Sequence, residues 1–370
     1  MVELGVFLPV TNNGWIMSKN SPQFLPTFTL NRNISRLAEQ IGFSYLFSMA
    51  KWRGFGGATD FWKYSIESTT LMTGLAGSVP RLRLIASVAP ALIHPAVFAK
   101  MAATIDDITG GRLGINIVSA GNPGEYTQMG LYPENFEEFR YDYTEEWITI
   151  VKRLWSEESV TFAGRYFALD DCQSFPKPVQ STVQIVCATS SERGYQFVAD
   201  HCTDGFFGGT SIEQKAQRSK RIKAIAAQRG RSVRTHTLIM LIQGESDADA
   251  RRIYDHYHDG ADLEAIASVY GKRRGGSSER NEHDHTRLFY GGLPFVGGPE
   301  SVAAMIEELV VDGELDGMMF VFPDFIDGLT RFGETVMPIL RKRGLLHGDA
   351  PRETCVRPGI SSGVPARDDQ

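Results

Sequence analysis

The chain has 370 residues, 42% hydrophobic and 22% charged, with 38 basic against 44 acidic side chains and a formal net charge of −6. That composition suits one large soluble domain with a deep core, and the acidic balance argues against nucleic acid or an anionic membrane as partner. No apolar run approaches membrane-spanning length. The start, Met1-Val2-Glu3-Leu4, lacks the basic and apolar regions of a signal peptide, and four scattered cysteines, Cys172, Cys187, Cys202 and Cys355, read as reduced cytosolic thiols.

Along the chain, apolar strands alternate with amphipathic helices. Strands are expected at Glu3–Pro9, Phe43–Met49, Leu82–Ser87, Leu113–Ser119, Val183–Ala188, Asp204–Phe207, Leu238–Gln243 and Gly317–Phe322. Helices are expected between them at Leu30–Gln40, Phe61–Ala76, Ala96–Ile108, Tyr143–Trp155, Ser191–Asp200, Ile212–Arg229, Asp247–Asp259 and Pro299–Asp312, with a last one at Gly328–Arg341. Eight alternations favour an α/β fold of the closed (β/α)8 TIM-barrel type over an open doubly wound sheet. The open sheet would need a glycine fingerprint in its first turn. Leu8-Pro9-Val10-Thr11-Asn12-Asn13-Gly14 is not one, and G-x-G-x-x-G occurs nowhere. The reading is one barrel domain over 1–345 with two insertions. Val160–Phe167 reads as a small hairpin, Gly271–Gly292 as a polar lid or disordered loop, and 346–370 as an unstructured tail.

The second strand empties into Lys51-Trp52-Arg53-Gly54-Phe55-Gly56-Gly57, a loop that apolar packing does not require. Ligands sit at the C-terminal end of such barrels. Other strand ends bring polar groups to the same mouth: Asn12 and Asn13, Ser87, Asn116, then Asn122, Glu125 and Tyr126, and Arg140-Tyr141-Asp142-Tyr143. Ala188-Thr189-Ser190-Ser191 precedes a helix, so hydroxyls and free backbone N–H groups form a phosphate pocket that is equally an N-cap. Asp106-Asp107 and Thr109-Gly110-Gly111-Arg112 read as turn chemistry. No metal cluster is expected, because the His256/His258 and His283/His285 pairs lie in polar surface or loop segments. Many donors beside few acid–base groups suggest a tightly held polar cofactor that supplies the reactivity.

The segments Phe7–Trp15 (FLPVTNNGW), Phe47–Gly57 (FSMAKWRGFGG), Asp106–Asn116 (DDITGGRLGIN), Glu125–Pro133 (EYTQMGLYP) and Arg140–Tyr143 (RYDY) resemble the bacterial luciferase-like flavin monooxygenases. Within that family the chain is most similar to the pyrimidine monooxygenases that open the uracil ring, from about Val2 to Leu345, with Gly271–Gly292 outside the likeness. The resemblance implies a barrel that binds FMN non-covalently, a separate NAD(P)H-dependent flavin reductase that supplies reduced FMN, and O2 as co-substrate, with a flavin-N5-oxide proposed in the subgroup. It implies FMN contacts from Ala50, Lys51, Asn116, Glu125, Arg140, Tyr141 and Ser191, and oxygen-site roles for Lys51, Ser87 and Asn116. A cytoplasmic homo-oligomer acting on a small heterocycle is implied as well. The pyrimidine enzymes carry a tryptophan after the asparagine, where this chain has Ser119-Ala120-Gly121-Asn122-Pro123-Gly124, so an opened pocket and a substrate other than uracil are expected. The alternatives are a riboflavin lyase of the same subgroup, a deazaflavin-dependent dehydrogenase and a non-catalytic flavin-binding protein.

Overall fold

The structure is a computed structural model that describes residues 1–119, 121–271, 287–292 and 294–346. The eight expected strands are present: β1 (Glu3–Phe7), β2 (Tyr45–Phe47), β3 (Arg83–Val88), β4 (Leu113–Ile117), β5 (Gln184–Ala188), β6 (Asp204–Phe207), β7 (Arg234–Gln243) and β8 (Gly317–Val321). They pair in parallel in that order, and β7 pairs with both β6 and β8, which closes the ring. The fold is the expected (β/α)8 barrel. Every residue of β1, β2, β4 and β8 is buried, as strands packed on both faces require.

The helices follow local capping rules. Thr27 accepts from Leu30 N to start Phe28–Ile41, and Gly42 ends that helix in the left-handed region at φ 104°. The Asp106-to-Arg112 segment is a structural bracket, as its turn residues suggest. Gly110 caps the helix Pro95–Thr109, and the Arg112 guanidinium donates to the carbonyls of Val79 and Leu82, each at 2.7 Å. Buried Asp106 holds the loop before β5 through Gln180 N at 3.0 Å and Gln180 Nε2 at 2.6 Å.

Several boundaries differ from the sequence expectation. The second helix starts at Ser68 rather than Phe61. Trp62 sits at φ 62° with its indole N–H donating to Gly14 O at 2.5 Å, which holds Phe61–Ile66 as a loop on the barrel mouth. The fourth helix begins two turns early, at Phe136. Short helices at Pro123–Thr127 and Leu263–Gly271 and an edge strand at Phe295–Gly297 were not expected. The last helix is broken into Phe325–Arg331 and Met337–Lys342 by a π turn. The hairpin is present as Ser159–Ala163 and Ala168–Gln173. Of the expected insert, 272–286 lies outside the described residues, as do His283, His285 and the tail from 347 onward. Among the described residues no helix is long and apolar enough to cross a membrane.

Candidate active site

Three polar clusters hang from the C-terminal ends of β2 to β5. The first is built on Lys51. Its side chain is 5% exposed, and its ammonium donates to Glu125 Oε1 at 2.5 Å. The second oxygen of Glu125 accepts from Trp52 N at 2.8 Å, so one carboxylate fixes both the cation and the loop that carries it. The ammonium also lies 4.1 Å from the Phe55 ring centre and 5.3 Å from that of Trp62. Trp62 in turn packs against Trp15 and Tyr290, which makes an aromatic box around the charge. Burial lowers the Lys51 pKa from its ordinary value, and Glu125 offsets part of that shift.

The second cluster joins β3 to β4. Ser87 and Asn116 are direct neighbours in the ladder. Asn116 Nδ2 donates to Ser87 Oγ at 2.8 Å, and Ser87 Oγ donates to Ser48 O at 2.5 Å. Ser87 N donates to Ser68 Oγ at 2.8 Å. The chain of bonds fixes the Asn116 amide, yet its carbonyl Oδ1 is buried without a partner. A buried unsatisfied acceptor costs about 1–3 kcal/mol, and an N–H donor from a bound group would remove that cost.

The third cluster gathers hydroxyls at the start of the helix Glu192–His201. Tyr141 Oη lies 3.3 Å from Thr189 Oγ1 and 3.4 Å from Ser191 Oγ. Ser191 caps the helix by accepting from Gly194 N at 3.2 Å. A side chain at position 194 would overlap both Thr189 Oγ1 and Tyr141 Oη, so glycine there keeps the pocket open. Arg140 is half-buried, its guanidinium 4.9 Å from the Tyr141 ring centre, and its pair with Glu137 is long at 3.5 Å. Hydroxyls, a helix N-terminus and an adjacent guanidinium suit a phosphate. The orphaned Asn116 oxygen and this cradle together fit a flavin nucleotide.

The structure thus brings Lys51 to Glu125, Ser87 to Asn116 and Tyr141 to Ser191, with half-buried Ala50 one residue from Lys51. Glu125 spends both oxygens on Lys51 and Trp52, which makes it a holder of the lysine loop. Asn12 and Asn13 are taken up by loop backbone: Asn12 donates to Asp60 O at 3.0 Å and Asn13 to Thr59 O at 2.9 Å. The small-residue loop is less open than its composition implies, because Tyr126 Oη stands 2.9 Å from where a side chain on Gly121 would begin. Ser48, Ser68, Thr189 and Gly194 also shape the site. Only Thr189 carried a sequence signal, as a hydroxyl at a strand end before a helix. Lys215 is a further buried cation at this end, donating to Gly209 O at 2.5 Å, its pKa pushed down to about 8 by burial and by Arg218. Among the described residues no group of three or more His, Cys, Asp or Glu is placed to hold a metal ion.

A closed parallel barrel with this set of donors at its C-terminal mouth has the architecture of the flavin-dependent oxygenases. Residues 2–315 match the luciferase-like monooxygenase family, and the chain belongs to that family. It is 37% identical over 355 residues to the pyrimidine monooxygenase RutA of Acinetobacter baylyi, covering 92% of this chain and 95% of that one. Its identity to RutA of Stutzerimonas stutzeri is 38% over 351 residues, covering 92% and 97%. Among solved structures it is similar in fold to a riboflavin lyase crystallised with modified FMN and riboflavin, with a TM-score of 0.82, 22% identity and coverage of 95% and 94%. Long-chain alkane monooxygenase LadA shares the fold at a TM-score of 0.80 and 19% identity, covering 94% and 92%.

Proposed function

We propose that this flavin-dependent monooxygenase uses reduced FMN, delivered by a separate reductase, and O2 to open a nitrogen heterocycle at a C–N bond. Two electrons bring O2 to the peroxide level; one oxygen of that peroxide would bond to the ring carbonyl carbon with the O–O bond intact, the C–N bond at that carbon would break, and the nitrogen would leave with its electron pair and take a proton, so that both oxygen atoms end in a ring-opened peracid. Bound reduced FMN supplies the electrons that reduce oxygen. Tyr141, Thr189, Ser191 and Arg140 hold the flavin phosphate, and Asn116 Oδ1 accepts from the flavin or substrate. The protonated Lys51, buried in its aromatic box, stabilises negative charge that develops on the substrate carbonyl. The Ser87–Asn116 pair holds donor and acceptor still while oxygen reacts.

The observation that carries this reading is the Asn116 carbonyl. It is buried, fixed through Ser87, and without a partner at the barrel end where the hydroxyl cradle also lies. The heterocycle is supported by the identity to the pyrimidine monooxygenases over 92% of the chain. The test is anaerobic mixing of the protein with reduced FMN, followed by oxygen, with a panel that includes uracil and riboflavin. A flavin spectrum that decays faster with one compound, with less hydrogen peroxide released, supports the proposal and identifies the substrate class. Reoxidation at the rate of free reduced FMN, whatever is added, overturns it. Ribose release from riboflavin would replace it with the lyase reading.

A further inference from the structure

The loop after β2 has an outer face that the chemistry above does not use. Trp52, Arg53, Gly54, Gly56, Asp60, Lys63 and Gln128 line a cleft of about 340 Å³ on the rim of the mouth. That volume is within the range of small-molecule sites.

Its backbone is fixed from both sides. Trp52 N donates to Glu125 at 2.8 Å, and Trp52 O accepts from Gln128 Nε2 at 2.8 Å. Opposite, Phe55 N donates to Phe61 O and Phe61 N to Gly56 O, each at 2.8 Å, so the second wall is a closed turn. On this frame Trp52 is 39% exposed as a residue. Arg53 is exposed, and among the described residues it forms no hydrogen bond, ion pair or ring stack. Lys63 pairs with Asp60 at 2.9 Å, both side chains more than half exposed, a pairing worth little in water, and its ammonium lies 5.8 Å from the Tyr64 ring centre.

Two cations against one carboxylate give this cleft a positive excess on a chain whose net charge is −6. A presented indole offers a flat apolar face, and a free guanidinium offers a planar two-pronged donor suited to a carboxylate or phosphate. Together, on a backbone held by these bonds and directly following Lys51, they suit a ligand that is both aromatic and anionic.

We propose that this cleft is a recognition subsite for the substrate, which is a flat nitrogen heteroaromatic bearing a carboxylate or similar single anion. The inference rests on the heterocycle reading above and narrows it. Trp52 stacks on the ring, Arg53 takes the anion, and Lys63 strengthens the local field that draws it in. FMN is also a flat ring with an anion, so the test separates the two sources.

The test is equilibrium binding to the full chain, by tryptophan fluorescence and calorimetry without oxygen. It uses two matched pairs, uracil with orotate and nicotinamide with nicotinate, and a third arm comparing riboflavin with FMN. The acid of a pair is expected to bind about tenfold more tightly than its neutral partner, as a charged hydrogen bond allows. Arg53→Ala should erase that preference, Arg53→Lys should restore part of it, and FMN affinity and melting temperature should stay unchanged. The preference should shrink as salt rises from about 50 to about 500 mM, because the site is exposed. Equal binding within both pairs, or a preference that survives R53A, overturns the proposal. Loss of FMN affinity alone in R53A assigns the cleft to the cofactor and overturns it too. Because the readout is binding without oxygen, its failure is distinct from failure of the monooxygenase reading, which is decided by flavin reoxidation.

Discussion

The two ends of the barrel both bury charge, and they treat it differently. At the base, where the strands begin, Asp204 Oδ1 meets His236 Nε2 and Arg234 Nη2, each at 2.8 Å. Glu3 pairs with both Arg83 and Arg234, Arg83 reaches Gln184 Oε1 at 2.7 Å, and Tyr45 Oη lies 3.1 Å from His236 Nδ1. A side chain on Gly317 would overlap the His236 ring, so the glycine in β8 makes room for this network. Each charge at the base has an opposite charge beside it. At the mouth, among the described residues, Lys51 has a single counter-ion and Asn116 leaves its carbonyl unbonded. Paired charges hold a fold together, and the base pairs its charges although, among the same residues, its Gln184 Nε2 is buried without a partner; at the mouth the unbonded acceptor carries a cost in stability that binding can relieve. The comparison therefore predicts that cutting the base harms stability, and cutting the mouth harms chemistry.

The largest expected effect is at the base. Asp204→Ala removes the bonds that His236 and Arg234 make to a buried carboxylate, with Glu3 still beside Arg234, and at about 1.5–3 kcal/mol for each hydrogen bond to a charged group should cost about 3–5 kcal/mol of unfolding free energy, measured by urea denaturation at pH 7. The folded fraction should still bind flavin normally; weakened flavin binding in that fraction would break the division between the two ends. Burial alone would raise the Asp204 pKa, but the hydrogen bond and charge of His236 and the charge of Arg234 outweigh it and hold the carboxyl well below the usual range. Because the folded value is depressed, this stability is present above the unfolded value and lost as pH falls toward the folded one. Unfolding free energy should decline steeply below about pH 4, and D204A should flatten that decline.

At the mouth, Lys51→Met should lower kcat/KM by about 10²–10³-fold, the scale of losing one charge-stabilising donor. It also strands Glu125, so stability falls; Lys51→Met with Glu125→Gln should recover the stability and not the turnover. Recovery of both would make the pair structural and end its distinction from the base. Since the ammonium titrates below its ordinary value, activity should fall on the alkaline side earlier than an ordinary lysine would dictate. Lys51→Arg should carry that limb to higher pH if it retains activity, and E125Q should carry it lower.

Next in size is the cradle. Gly194→Ala puts a methyl group against Thr189 Oγ1 and Tyr141 Oη. FMN should bind about 10–100-fold more weakly, the loss of one or two charge-assisted hydrogen bonds, while riboflavin, which lacks the phosphate, changes little. Flavin fluorescence titration reads both. Equal losses for the two ligands would mean that this hydroxyl cluster is a structural cap like any other.

This asymmetry was partly legible before any coordinates. The eight strands read as apolar runs, and the sequence marks Lys51 by the glycine-rich loop that carries it, Ser87 as a strand end at the mouth, Asn116 as a strand asparagine that is costly unless bonded, and Ser191 as a hydroxyl before a helix. Pairings were not legible. Nothing in the spacing of Glu125 says that its carboxylate grips Lys51, 74 residues earlier. The Phe61–Ile66 stretch looked helical by composition, but the Trp62 bond to Gly14 O overrides propensity with a tertiary contact. The base network was invisible for the same reason: Glu3, Arg83, Asp204 and His236 are isolated charges in the chain and neighbours only once the barrel closes.

The smallest expected effect tests the finest point of the contrast, whether the mouth's polarity is held in place or merely present. Ser87 does not carry charge. Its hydroxyl donates to Ser48 O at 2.5 Å and accepts from Asn116 Nδ2 at 2.8 Å, which leaves the amide one orientation, oxygen unbonded. Ser87→Ala removes both bonds and should cost about 1 kcal/mol in stability. The amide is then free to rotate, so the acceptor is present for part of the time only. Turnover should fall by about tenfold or less, and the share of oxygen released as hydrogen peroxide should rise. Ser87→Thr, which keeps the hydroxyl, should restore coupling. A stability loss with unchanged peroxide yield would place Ser87 with the base, as scaffold, and leave the fixing of Asn116 to other contacts.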